Sequence, residues 1–165
     1  MAPARDGADP AGAACGLGRF AKEDHREGGE EEVKDQLYTI LSTASGVEAL
    51  VSDRIYALVI PQRAWKDQQV QPCIVSSQTS LEENVSYCGA TGLARTRFQI
   101  DAYAVEYEAA GEVAAAIKAA LRDYRGLVGG VLIKHAALES EFDLTDPEPG
   151  LFRVQQTWAF WHTTE

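Results

Sequence analysis

From Arg95 to Glu106 the chain alternates without a break. Phe98, Ile100, Ala102 and Ala104 fall on one side, and Arg97, Gln99, Asp101 and Tyr103 on the other. A period of two is what a strand with one buried and one wetted face requires, and a helix cannot satisfy it. The chain therefore has to build a sheet covered on one side. That excludes an all-parallel sheet buried on both faces and points to an antiparallel or mixed one.

The cover comes from helical periodicity elsewhere. Val33, Leu37, Ile40, Leu41 and Ala44 recur at the spacing of one helix face until Ser45-Gly46 ends it, and a short second turn follows through Val47 to Leu50. A longer helix is expected from Tyr107 to Arg125, with Val113, Ile117, Ala120, Leu121 and Tyr124 on its apolar stripe and Gly126 as its C′ residue. Further strands are expected at Arg54–Ile60, closed by Pro61, at Cys73–Thr79, at Gly130–Glu139 and at Leu151–His162. Residues 61 to 72 read as a polar loop, Leu81 to Gly92 as a loop or loose hairpin tip, and Asp146-Pro147-Glu148-Pro149-Gly150 as a turn. The order predicts an α+β fold, an antiparallel or mixed sheet of about four to five strands with two main helices packed on one face.

Residues 1–32 differ in kind. They carry eight acids against four bases, and Leu17 and Phe20 are their only sizeable apolar side chains, so they read as a flexible extension ahead of one domain at 33–165. An alternative is that Val33 is the true start, which N-terminal mass spectrometry of the native protein decides.

The chain as a whole carries a formal net charge of −10, which argues against a protein that grips a phosphate backbone. The longest uninterrupted apolar stretch, Ile55 to Ile60, is far from the ~20 residues of a membrane helix. The first twenty residues lack the apolar core of a secretory signal, so a cytoplasmic origin is expected. Cys15, Cys73 and Cys88 have neither the pairing nor the spacing of a disulfide framework or zinc site.

Catalysis needs a positioned nucleophile, base or metal, and the sequence offers few candidates. No H-E-x-x-H, G-x-S-x-G, phosphate loop or dinucleotide signature occurs, and His135 reads as a half-buried structural residue. The expectation is no enzyme, no cofactor and no metal. Glu139, Glu141 and Asp143 are spaced by two, which on a regular strand turns all three to one side, as a solvated face or an acidic lining. Trp65 in its polar loop and Trp161, on the face of the last strand opposite Phe152, Val154, Trp158 and Phe160, are candidates for an interface with subunits or partners. Glu82 and Glu83 in the 81–92 segment join them.

Three groups of strings carry a family resemblance. They are L-Y-T-I-L-S with G-V-E-A-L-V and R-I-Y-A-L-V-I-P-Q, then T-G-L-A-R-T-R-F-Q-I-D-A-Y-A, then D-P-E-P-G-L-F-R-V-Q-Q-T-W-A-F-W-H. In order and spacing, from about Leu37 to His162, the chain resembles the phage tail-completion or tail-terminator family of long-tailed phages, prophages and gene transfer agents. It departs in residues 1–32 and in a longer loop around Trp65.

The resemblance implies a structural virion protein that forms a hexameric ring at the head-proximal end of the tail tube. Such a ring ends tube growth and joins the tail to the head. Its implied partners are further copies of itself, the major tail (tube) protein and the head–tail connector or stopper, with DNA passing through unbound and no membrane involved. Glu139, Glu141 and Asp143 are the candidate lumen residues. Another neck role, as a stopper or connector subunit, and a small-ligand-binding domain of the same class are the alternatives.

Overall fold

Helix α1 (Gly28–Thr43) forms because Val33, Leu37, Ile40 and Leu41 make one apolar stripe, and all four are buried. A computed structural model describes residues 28–61, 71–146 and 150–164. Helix α2 (Ser45–Val51) follows after a single residue and buries Val47 and Val51. Strand β1 (Ile55–Ala57) comes next, then the long strands β2 (Cys73–Ser86) and β3 (Gly89–Ala104).

Helix α3 (Tyr107–Leu121) buries Ala110, Val113, Ala114, Ile117 and Leu121. It stops earlier than the expected Arg125, because Asp123 takes a left-handed φ of 56°, a conformation that Asp tolerates and that ends helical propagation. Gly126 is thus the first residue of a strand and not the helix cap. Three strands complete the chain: β4 (Gly126–Val128), β5 (Val131–Asp146) and β6 (Leu151–Thr163).

The strands form one sheet in the order β1-β2-β3-β6-β5-β4, with β1 parallel to β2 and the other pairings antiparallel. The sheet curls into a half-barrel. This corrects the expected count of four to five strands and two helices: the described residues form six strands and three helices. The missed strand, β4, is a three-residue Gly-Leu-Val segment between a helix end and Gly129-Gly130, too short to show a period. Its hairpin turn uses φ values of +54° and +93° at those glycines, which side chains avoid. The third helix is the short α2, expected only as a turn.

Two other differences have one cause. The 81–92 segment belongs to β2 and β3, and β5 runs on to Asp146 instead of stopping at Glu139. Both stretches are acidic and poor in β-branched residues, so local preference is weak, and pairing with a neighbour strand supplies what propensity lacks.

The core lies between the three helices and one sheet face. Phe98, Ile100, Ala102 and Ala104 of β3 and Val154, Trp158 and Phe160 of β6 meet Ile117 and Leu121 of α3 and Leu41 of α1, all almost fully buried. Phe98 and Phe160 pack edge to face at 5.6 Å.

Candidate functional site

The sheet face turned away from the helices is polar but only partly wetted. The alternation on β3 puts Arg95, Arg97, Gln99, Asp101 and Tyr103 there, opposite Trp161, Ala159, Thr157, Gln155 and Arg153 of β6. Glu82 reaches Arg97 Nη1 at 2.6 Å and Arg95 Nη1 at 4.0 Å, and Glu139 accepts from Arg97 Nε at 3.0 Å and from Arg95 Nη2. Two arginines thus alternate with two carboxylates. The small side chains of Ala159 and Ala137, paired beside Arg97, leave room for Glu139 to reach across.

Trp161 is part of the same cluster and not an exposed aromatic. The Arg95 guanidinium lies 5.1 Å from the Trp161 ring, and His135 stacks on that ring at 5.5 Å with an interplanar angle of 28°. Further along, Arg153 donates to Tyr103 Oη at 3.1 Å and to Gln155 Oε1 at 2.9 Å, and stands 3.7 Å from Asp101. Each of these arginines therefore meets an acid of the same chain. The arginines and Glu139 keep roughly a quarter of their exposure and Glu82 about half, so solvent screens these pairs and they stabilise only weakly.

The opposite face holds a hydrogen-bond chain that runs from the core to the surface. Trp158 Nε1 donates to Gln156 Oε1 at 2.9 Å, and Gln156 Nε2 donates to Ala114 O at 2.9 Å and to Glu141 Oε2 at 2.7 Å. Lys118 Nζ then donates to Glu141 Oε1 at 2.9 Å. The amide of Gln156, wholly buried, is satisfied on both ends and latches α3 to β5 and β6. Nearby, Tyr107 Oη donates to Asp143 Oδ2 at 2.9 Å, and this bond raises the phenol pKa.

The three expected lumen carboxylates are consequently split. A β-bulge between Leu138 and Ser140 sends Glu139 to the outer face, with Arg95 and Arg97, while Glu141 and Asp143 turn to α3. A spacing of two keeps one side only where the ladder is regular, and here one inserted residue resets the phase. Trp65 lies outside the described residues. Glu82 and Glu83 are exposed on β2, where the β2–β3 hairpin begins to outrun the rest of the sheet.

That segment, expected as a loop or a loose hairpin tip, is a hairpin of paired strands. Strand β6 ends opposite Leu93, so the hairpin beyond it projects as an arm in which every residue from Glu82 to Thr91 is exposed. Thr91 Oγ1 donates to Asn84 O at 2.8 Å and Ser86 Oγ to Gly89 O at 3.1 Å, bonds internal to the arm. At its tip Val85 is 75% exposed and Tyr87 wholly so. The available signal was an aromatic and a valine inside an otherwise polar, glycine-bounded segment.

Among the described residues no three His, Cys, Asp or Glu side chains group as metal ligands. A cavity of about 310 Å³ beside β1, lined by Lys34, Asp35, Tyr38, Ile55, Tyr56 and Leu58 among others, brings no histidine or cysteine to its described walls. Among the described residues no helix is long and apolar enough to cross a membrane.

Residues 35–163, nearly the whole described domain, match the family model described as Tail completion protein gp17. The chain belongs to the tail completion protein gp17 family. As a member it is a structural protein of the phage tail, and its place is the virion tail. A chain in the solved virion of a native gene transfer agent (GTA) particle is similar in fold, with a TM-score of 0.65 at 16% identity over 79% of this chain and 94% of that one. No curated protein matches this chain.

Proposed function

We propose that this tail completion protein is the tail terminator: a closed ring, six copies in the expected form, that caps the head-proximal end of the tail tube. It stops tube growth and offers its other face to the head connector or stopper, and the genome passes through its hole without being held. Membership of the tail completion family supports the setting.

The observation that carries the reading is the β2–β3 arm. A capping subunit needs a feature that leaves its own fold and engages another protein, and the arm presents Val85 and Tyr87 to solvent with no intramolecular packing role. Net negative charge suits a passage for DNA, because like charge within about 10 Å discourages sticking. With the acids split between two faces, Glu139 is the candidate on one side of the sheet and Glu141 with Asp143 on the other.

Native mass and negative-stain imaging of the protein, alone and mixed with its tube protein, test this. A ring, or a monomer that becomes a ring on tube ends and fixes tube length, is the expected result. A monomer that ignores tubes overturns it. The double variant Val85→Ser, Tyr87→Ser should keep its fold and lose tube or connector binding at least tenfold.

A further inference from the structure

Both long outer strands of the sheet are left mostly bare. β1 covers β2 only from Ile74 to Ser76, and β4 covers β5 only from Val131 to Ile133. From Ser77 to Ser86 on β2, and from Lys134 to Asp146 on β5, no strand of the described residues lies on the outer side. Bare edges of this length are a liability that proteins ordinarily blunt with charge, proline or a cover.

The backbone groups at these edges can be assigned. Ile74 N–H donates to Arg54 O and Leu58 N–H donates to Ser76 O, both at 2.9 Å, so residues 74 and 76 turn their backbone outward. Antiparallel ladders alternate inward and outward bonding. The bulge at Thr79 passes the outward phase to Leu81 and Glu83, which stand opposite Thr96 and Ala94 as Ile74 stands opposite Ala102. Carried across β3 and β6, the same phase turns Ala136, Leu138, Glu141, Asp143 and Thr145 outward on β5.

The acids of β5 do not guard its edge, because Glu139, Glu141 and Asp143 are held by Arg95 and Arg97, Lys118 and Tyr107. Between these paired acids the edge exposes apolar side chains: Leu138, Phe142 at 57% exposure and Leu144.

We infer that β5 of one copy pairs with β2 of the next, so that the ring is sewn by continuous antiparallel β-sheet. The two strands run in opposite directions within the sheet, since three antiparallel steps separate them. Rotation of one copy about a common axis therefore brings β5 against a neighbour's β2 in antiparallel sense. The contact uses two different patches, as a closed ring requires and a two-fold dimer does not. The bare stretches also lie toward opposite ends of the sheet, β2 toward the arm and β5 toward Asp146. Level pairing is blocked by β1 and β4, so the strands have to tilt against the ring axis, the stagger by which barrels close.

This inference rests on the ring reading above, and its test separates the two. Glu83→Pro removes an outward donor from β2 and Asp143→Pro one from β5, at edge positions where proline is tolerated. Each variant alone should fail to form rings and stay monomeric by native mass. An equimolar mixture should form dimers and stop there, because each copy keeps one competent edge. Hydrogen exchange on wild-type rings should slow at least tenfold at Leu81, Glu83, Leu138, Glu141 and Asp143 relative to monomer, which serves even if a proline variant fails to fold. Rings from either folded variant alone, or wild-type rings whose edge amides exchange as in the monomer, overturn the edge pairing and leave the terminator reading standing. A wild-type protein that never self-associates overturns both.

Discussion

At the scale of single residues, the interior is tuned by a few polar groups whose loss is costly. Removing the Gln156 amide leaves the Trp158 indole N–H buried without a partner and takes one donor from Glu141 and a second donor from the Ala114 carbonyl. Gln156→Ala should cost about 2–4 kcal/mol, read by urea denaturation. Cys73 gives a pH signature. Burial pushes its thiol from 9.0 up to about 11, against a smaller opposing pull from Arg54. The folded state holds the proton more tightly than the unfolded chain, so this contribution is full below pH 9 and is lost as pH rises through about 11. It is on the order of 2 kcal/mol. Stability of the wild type should fall over pH 9–11, and Cys73→Ala should flatten that fall in thermal melts. Iodoacetamide at pH 8 should label exposed Cys88 and spare Cys73 in the native state.

At the scale of elements, turns and bulges decide what the strands display. Gly129 sits at a φ of +54°, and a Cβ there would meet the Gln36 side chain at 2.6 Å. Gly129→Ala should therefore cost about 1–2 kcal/mol by thermal melt, most of it backbone strain because Gln36 can shift. The two longer helices and five of the six described strands were legible because their side chains repeat with a clear period, as Val33 to Leu41 and Phe98 to Ala104 do. What stayed hidden depends on partners distant in sequence. β4 is too short to show a period, the arm reads as a loop because its acids and glycines disfavour strands, and the bulge at Glu139 leaves no local trace. The sidedness of Trp161 was legible, but its burial under Arg95 and beside His135 was not, because both partners come from other strands. The arm's tip, the surface argued to meet a partner, was read as a loop or loose hairpin tip, and Tyr87 was passed over.

At the scale of the whole molecule, charge and topology oppose each other during assembly. Copies carrying a net −10 repel, and the proposed edge pairing has to overcome that repulsion. Ring formation should be favoured by added salt, with more assembled mass by native mass analysis at 0.5 M than at 20 mM sodium chloride, because the screening length shrinks from more than 20 Å to about 4 Å. The opposite trend would mean that the contact is carried by ion pairs instead.

The bulge at Glu139 also bears on how such a chain can change over time. Downstream of it each residue of β5 faces the side its neighbour would otherwise take, so Glu141 meets Lys118 and Asp143 meets Tyr107 only through that one inserted position. Substitutions along this strand disturb one contact each. A single-codon deletion between Leu138 and Ser140 inverts the remainder and breaks both bonds at once. Length variation in descendants of this sequence should therefore gather outside β5, and the span from Val131 to Asp146 should drift by replacement alone.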